Sequence, residues 1–111
     1  LEAAVARRVS LVTDSEVLQE ILYRYFSLQQ PDIARELHEA ATGLCDEVLP
    51  VSERTTARAR ELLIQYPKLS ARDAIHIASM EEAGVQRLLS ADRDFDDVTE
   101  VRRIDPAEFL A

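Results

Sequence analysis

Two stretches of the chain place carboxylates where they have chemical as well as structural uses: Ser70-Ala71-Arg72-Asp73-Ala74-Ile75-His76-Ile77-Ala78 and Leu88-Leu89-Ser90-Ala91-Asp92-Arg93-Asp94-Phe95-Asp96. The first sets Asp73 at the start of a helix. The second sets Asp92 directly after a short apolar run that reads as a strand, with Asp96 close behind. A third candidate, Glu20, lies upstream on a separate helix. Oxygen-only donors of this kind select hard divalent cations such as Mg²⁺ or Mn²⁺ over zinc. Cations so held activate water and offset the charge that develops on a phosphodiester.

Each acid also has a plainer use. Ser70-x-x-Asp73 is a capping box, in which the carboxylate serves the N-cap backbone, although the helix dipole at that end also favours an ionised group beside a cation. Glu20 sits beside Val17 and Ile21, not opposite the apolar stripe. It is either a partly buried acid at a cleft edge or a boundary carboxylate paired with Arg24 at i+4. Asp92 holds the carboxyl-end position at which α/β sheets collect ligands. Asp94, Asp96 and Asp97 fit an Asp-rich turn, Asp96 being the second candidate in that group. His76 shares a helix face with Asp73 and is either a ligand or acid–base group or a boundary histidine. His38, on a surface helix, is assigned no role. Cys45 lies at helical spacing from Ala41 and Val48 and reads as a small core residue.

Composition narrows the setting of these acids. The 111 residues carry a formal charge of −8 from 21 acidic and 13 basic side chains, which excludes a surface that grips nucleic acid all over and makes any such contact local. With 47% hydrophobic residues, two glycines and four prolines, the chain supports one modest core and is expected to form a single domain over residues 1–111. No run approaches the roughly 20 apolar residues of a membrane span. Leu1-Glu2-Ala3-Ala4 lacks the basic and apolar regions of a signal peptide, so a cytoplasmic protein without a membrane partner is expected. One cysteine allows no internal disulfide and no thiolate metal site. Gly-rich phosphate loops, zinc-type Cys/His spacings and a Gly-x-Ser-x-Gly elbow do not occur.

The elements that must position the acids alternate between strand and helix. Leu1 to Arg7 reads as the tail of a helix, and Arg8 to Thr13 as a short buried strand. Thr13-Asp14-Ser15-Glu16 caps a helix whose apolar face, Val17, Leu18, Ile21, Leu22, Tyr25 and Phe26, runs to about Leu28. Pro31-Asp32 starts another, with Ile33, Leu37, Ala40, Ala41 and Leu44 inward, and Asp46 to Val51 is a second strand. Ser52 caps a helix packed through Ala57, Ala59, Leu62, Leu63 and Tyr66, which Pro67 ends. Ser70 caps the Asp73 helix, Gly84 stops it, Arg87 to Ser90 is a strand, and Glu100 to Ile104 is the last. This order predicts a small parallel α/β sheet with helices on both faces.

Three segments together resemble the PIN-domain family of metal-dependent ribonucleases, and in particular its VapC-like toxins: Val12 to Leu22, Leu69 to Ala78, and Leu89 to Asp96. The resemblance implies a three-layer PIN-like α/β fold, a small parallel sheet flanked by helices, with acids binding Mg²⁺ or Mn²⁺ for cleavage of single-stranded RNA. By position, Glu20 matches the family's helix glutamate, Asp73 its helix-start aspartate and Asp92 the aspartate after the next strand. These three are the expected catalytic residues and metal ligands, with Asp96 a supporting ligand. Ser90 stands where the family often has a small hydroxyl residue that positions metal or phosphate. Arg72, Arg93 and Lys68 flank the site as candidate phosphate contacts, or are ordinary surface charge. The family opens with a central strand ending in Asp, and by this comparison that strand and its aspartate are expected to be missing, leaving the domain N-terminally incomplete. The further implications are a toxin–antitoxin pair, an antitoxin protein as partner, and a homodimer. Two rival readings are a catalytically silent PIN-like interaction module, and a metal-dependent phosphatase or DNA nuclease on a similar scaffold.

Overall fold

In the computed structural model, residues 10–110 are described, and the chain divides into two compact units, one ending at Pro50 and one starting at Val51. The expected helix tail Leu1 to Arg7 and the Arg8-Val9 start of the first strand lie outside the described residues. In the amino unit, β1 (Val12–Asp14), α1 (Ser15–Ser27), α2 (Pro31–Leu44) and β2 (Glu47–Leu49) follow in order. The strands pair in parallel, Val12 opposite Glu47 and Asp14 opposite Leu49. A parallel pair needs a long crossover, which α1 and α2 supply. Asp46 extends the pairing: its N–H donates to the Leu11 carbonyl at 2.7 Å, and its Oδ2 accepts from the Leu11 N–H at 3.0 Å.

Helix α1 begins where Asp14 accepts the Val17 N–H at 3.0 Å, with Glu16 in the first turn complementing the dipole. It ends in a left-handed residue, Gln29 at φ 58°, which lets the Gln30 N–H reach the Tyr25 carbonyl at 2.8 Å. Pro31 then starts α2 from the position where its missing N–H is not needed. The inward face of α2 differs from the expected one. Ile33, Leu37 and Leu44 are exposed, whereas Ala34 is fully buried and His38, Ala41 and Cys45 are half-buried at i+4, i+7 and i+11 from it. The buried stripe of α2 is thus built from its small side chains and His38, and the larger apolar ones face outward. His38 accordingly lies on the inward face, not on a surface face.

The carboxy unit contains α3 (Glu53–Gln65), α4 (Ala71–Glu82), β3 (Arg87–Leu89), a 3₁₀ turn (Arg93–Asp97), β4 (Arg102–Ile104) and α5 (Pro106–Leu110). Its core gathers Ala59, Leu62, Leu69, Ala74, Ile77, Ala78, Phe95 and Val98. Complete burial of a side chain such as Leu62 or Ile77 contributes about 1.5–3 kcal/mol. At the start of α3, Ser52 Oγ accepts the Thr55 N–H at 3.3 Å while Thr55 Oγ1 accepts the Ser52 N–H at 3.0 Å, a complete capping box. Thr55 is therefore buried at no polar penalty and lies on one face with Ala59 and Leu62, which leaves Ala57, expected inward, exposed. Helix α4 stops at Gly84, whose φ of +71° suits glycine. β3 and β4 pair in parallel with Leu88 opposite Arg103. The expected parallel pairing is thus present as two strand pairs, one in each unit.

Candidate active site

The carboxy unit places two of the expected acids on neighbouring structural devices. Ser70 caps α4, its Oγ accepting the Asp73 N–H at 3.1 Å, so Asp73 occupies the first turn, half-buried. The next turns of α4 are seated in the core by Ala74, Ile77 and Ala78, which gives Asp73 a rigid base. Among the described residues its carboxylate has no hydrogen-bond or ion-pair partner. Asp92 follows β3. The Ser90 N–H donates to the Ile104 carbonyl at 3.1 Å, Ser90 Oγ accepts the Asp92 N–H at 3.1 Å, and Asp92 Oδ1 accepts the Asp94 N–H at 2.9 Å. Asp92 is the N-cap of the 3₁₀ turn, and its Oδ2 is without a partner among the described residues. Phe95 and Val98, both buried, pin the turn to the core.

Asp96 is held differently. Arg103 Nε lies 2.7 Å from its Oδ1 and Nη2 3.3 Å from its Oδ2, a two-pronged fork in which both carboxylate oxygens are engaged. Hydrogen bonding to that guanidinium, and then its charge, hold the Asp96 carboxyl below the usual carboxylate range and raise Arg103 above its own. Arg72 and Arg93 are both exposed, and Ser90 is half-buried. His76 is half-buried one turn along α4 from Asp73.

Glu20 belongs to the amino unit, half-buried near the middle of α1. That unit also contains a buried acid that pattern reading took only as a cap: Asp14 is 5% exposed at the carboxyl end of β1. Cys45 fits its expected inert role, because burial first, and the Asp46 charge second, push its thiol up and away from the reactive thiolate.

The donor set is carboxylate oxygen throughout, and Asp73 and the second oxygen of Asp92 retain lone pairs for a hard cation, so these residues fit such an ion in chemistry. Among the described residues, no group of three or more His, Cys, Asp or Glu side chains is gathered as a ready-made metal cage. The residue that sequence reading missed is Arg103. It stands beside Ile104 in a strand whose alternation gives no sign that a charge is drawn inward, and only the acceptors converging on it, Asp96, Asp105 and the Ser90 carbonyl, mark it.

Comparison with known proteins agrees with the segment resemblance. A family model described as PIN domain matches residues 1–101. The chain is 42% identical over 104 residues to VapC ribonuclease Mb1869c of Mycobacterium bovis, covering 94% of this chain and 79% of that protein. Ribonuclease VapC13 of Mycobacterium tuberculosis matches to the same extent, 42% over 104 residues with the same coverage. Ribonuclease VapC23 of Mycobacterium tuberculosis is 35% identical over 95 residues, 83% of this chain and 72% of that protein. No solved structure matches the chain.

Proposed function

Because this chain belongs to the PIN-domain family, we propose that it is a metal-dependent endoribonuclease that cleaves single-stranded RNA and serves as the toxin of a toxin–antitoxin pair. The observation that carries this reading is Asp92, fixed at the carboxyl end of β3 with one oxygen spent on the backbone and the other turned to no protein group among the described residues. Asp73 supports it with a carboxylate that has no hydrogen-bond or ion-pair partner among the described residues, on a rigid helix start. Glu20, Asp73 and Asp92 would hold the cation, Mg²⁺ or Mn²⁺. When bound, that ion supplies an activated water for attack on phosphorus and neutralises charge on the phosphate. The Asp94 N–H holds Asp92 Oδ1 in place, and the bond from the Asp73 N–H to Ser70 Oγ fixes the backbone from which the Asp73 carboxylate projects. Ser90, Arg72 and Arg93, with Lys68, would orient the RNA backbone locally on an otherwise acidic protein.

The family match runs through both units, which supports treating residues 1–111 as one PIN-like domain. Exposed apolar side chains on α1 and α2, among them Leu22, Phe26 and Ile33, support association with an antitoxin protein and with a second copy of the chain. No described helix is long and apolar enough to cross a membrane, and an RNA substrate fits a cytoplasmic setting.

A second reading, a catalytically silent interaction module, is favoured by one observation: the exposed apolar side chains Leu22, Phe26 and Ile33 on α1 and α2. Cleavage of a labelled single-stranded RNA with and without Mn²⁺, beside double-stranded RNA and DNA of the same sequence, separates the two. Metal-dependent scission of the single-stranded RNA supports the enzyme, and unchanged substrate in every lane supports the silent module.

A further inference from the structure

We propose that Arg103 is a positioning residue for the loop that carries Ser90 and Asp92, and that Asp96 acts through Arg103 and not on a cation. This inference rests on the ribonuclease reading for its catalytic consequence and on geometry alone for the clamp itself.

Arg103 is a closely engaged cation of the carboxy unit. Its side chain is 13% exposed, while its partner Asp96 is 51% exposed, so the guanidinium is drawn in and the carboxylate comes to meet it. From β4 it reaches three acceptors at once. Nε and Nη2 fork onto Asp96, Nη1 donates to the Ser90 carbonyl at 3.0 Å, and Nη1 lies 3.6 Å from Asp105 Oδ2. A planar guanidinium carries five N–H donors at fixed angles, so its bonds to Ser90 and Asp96 set the separation of those two residues.

Asp92 sits between these two anchors. Its N–H goes to Ser90 Oγ and its Oδ1 receives the Asp94 N–H, so every bond that orients its carboxylate lies inside the segment that Arg103 closes. Phe95 fixes the same segment from beneath. Arg103 thus controls where the second oxygen of Asp92 points. Asp96, with both oxygens already accepting from a cation of the protein, has little left to offer a metal, and the adjacent positive charge opposes one there.

The test compares wild type with Arg103→Gln, Arg103→Lys, Asp96→Asn and the double variant Arg103→Gln/Asp96→Asn, after melting curves confirm that each folds. Three quantities are read: exchange protection of the Asp92 and Asp94 amides, Mn²⁺ affinity by electron paramagnetic resonance titration, and kcat and KM on single-stranded RNA. Arg103→Gln is expected to lower the protection of both amides about 5- to 10-fold, the equivalent of one hydrogen bond. It should weaken Mn²⁺ binding and kcat about 10- to 100-fold, as loss of a ligand's supporting partner does, with KM for RNA changed by less than about 2-fold. Lysine restores the charge but not the fork and should recover only part of kcat. The double variant should match Arg103→Gln within about 2-fold, because two residues that act as one unit are not additive.

Amide exchange and Mn²⁺ affinity unchanged in Arg103→Gln overturn the proposal. So does an Asp96→Asn loss of Mn²⁺ affinity that adds in full to that of Arg103→Gln, since Asp96 would then be a ligand in its own right. A wild type that neither binds Mn²⁺ nor cleaves overturns the ribonuclease reading, and the catalytic consequence with it. Amide exchange still decides the clamp in that case.

Discussion

In each unit an aspartate at the end of a strand or shortly after it caps the next helix or turn, yet the two aspartates are used differently. Asp14 closes β1, accepts the Val17 N–H and is buried. Asp92 comes after β3, accepts the Asp94 N–H and is exposed. The local chemistry is the same, an Asp oxygen satisfying an orphan backbone N–H. Burial decides what is left over: an enclosed carboxylate is committed to structure, whereas an exposed one keeps an oxygen for a ligand. The units also differ in how they are filled. The carboxy unit has a continuous core around Leu62, Ile77 and Val98, while α1 contains no fully buried residue and α2 buries only Ala34.

Substitutions can break or sharpen this contrast. The largest effect is expected in the core: Ile77→Ala should destabilise the protein by about 2–5 kcal/mol. Ile33→Ala, at a comparable side chain left exposed on α2, should cost less than about 1 kcal/mol. Denaturant melts check both, and equal losses would show that the amino unit hides a core of its own. Next, Asp14→Ala should cost about 1–2 kcal/mol through loss of a buried cap, whereas Asp92→Ala, on an exposed turn, should cost less than about 0.5 kcal/mol.

A smaller effect depends on pH. Arg58 grips Glu81 through Nε at 2.7 Å and Nη2 at 2.8 Å, and that hydrogen bonding lowers the Glu81 carboxyl below its ordinary value of 4.5. A carboxyl lowered in the folded state stabilises fully above its unfolded value, and its contribution is lost as pH falls through the folded one. Both side chains are partly exposed, so Glu81→Gln should cost only about 0.5–1 kcal/mol at pH 7. The difference from wild type should shrink in melts taken as pH falls below 4.5 and through the lowered folded value. Smallest is Gln29→Gly, which relieves a left-handed backbone and should raise stability by about 0.5 kcal/mol in thermal melts.

Element order was legible in the sequence because capping residues and stops are local: Asp14, Ser52, Ser70, Pro31 and Gly84 all sit where the helices begin or end. The inward face of α2 was not. Apolar spacing favoured Ile33 and Leu37, but burial of Ala34 in their place is a tertiary choice that periodicity does not record. Asp73 and Asp92 could be picked out from their places at a helix start and after a strand. The commitment of Asp96 to Arg103 could not, because their pairing depends on β4 lying beside β3, a contact between segments that no local pattern encodes.

The most direct test of the account is Mn²⁺-dependent cleavage of single-stranded RNA by Asp92→Asn, with its melting temperature taken alongside. Asparagine keeps the cap to the Asp94 N–H and removes only the charge. The account predicts a melting temperature close to wild type and cleavage reduced by at least about 100-fold, more than loss of a ligand's supporting partner brings. Cleavage equal to wild type would contradict it.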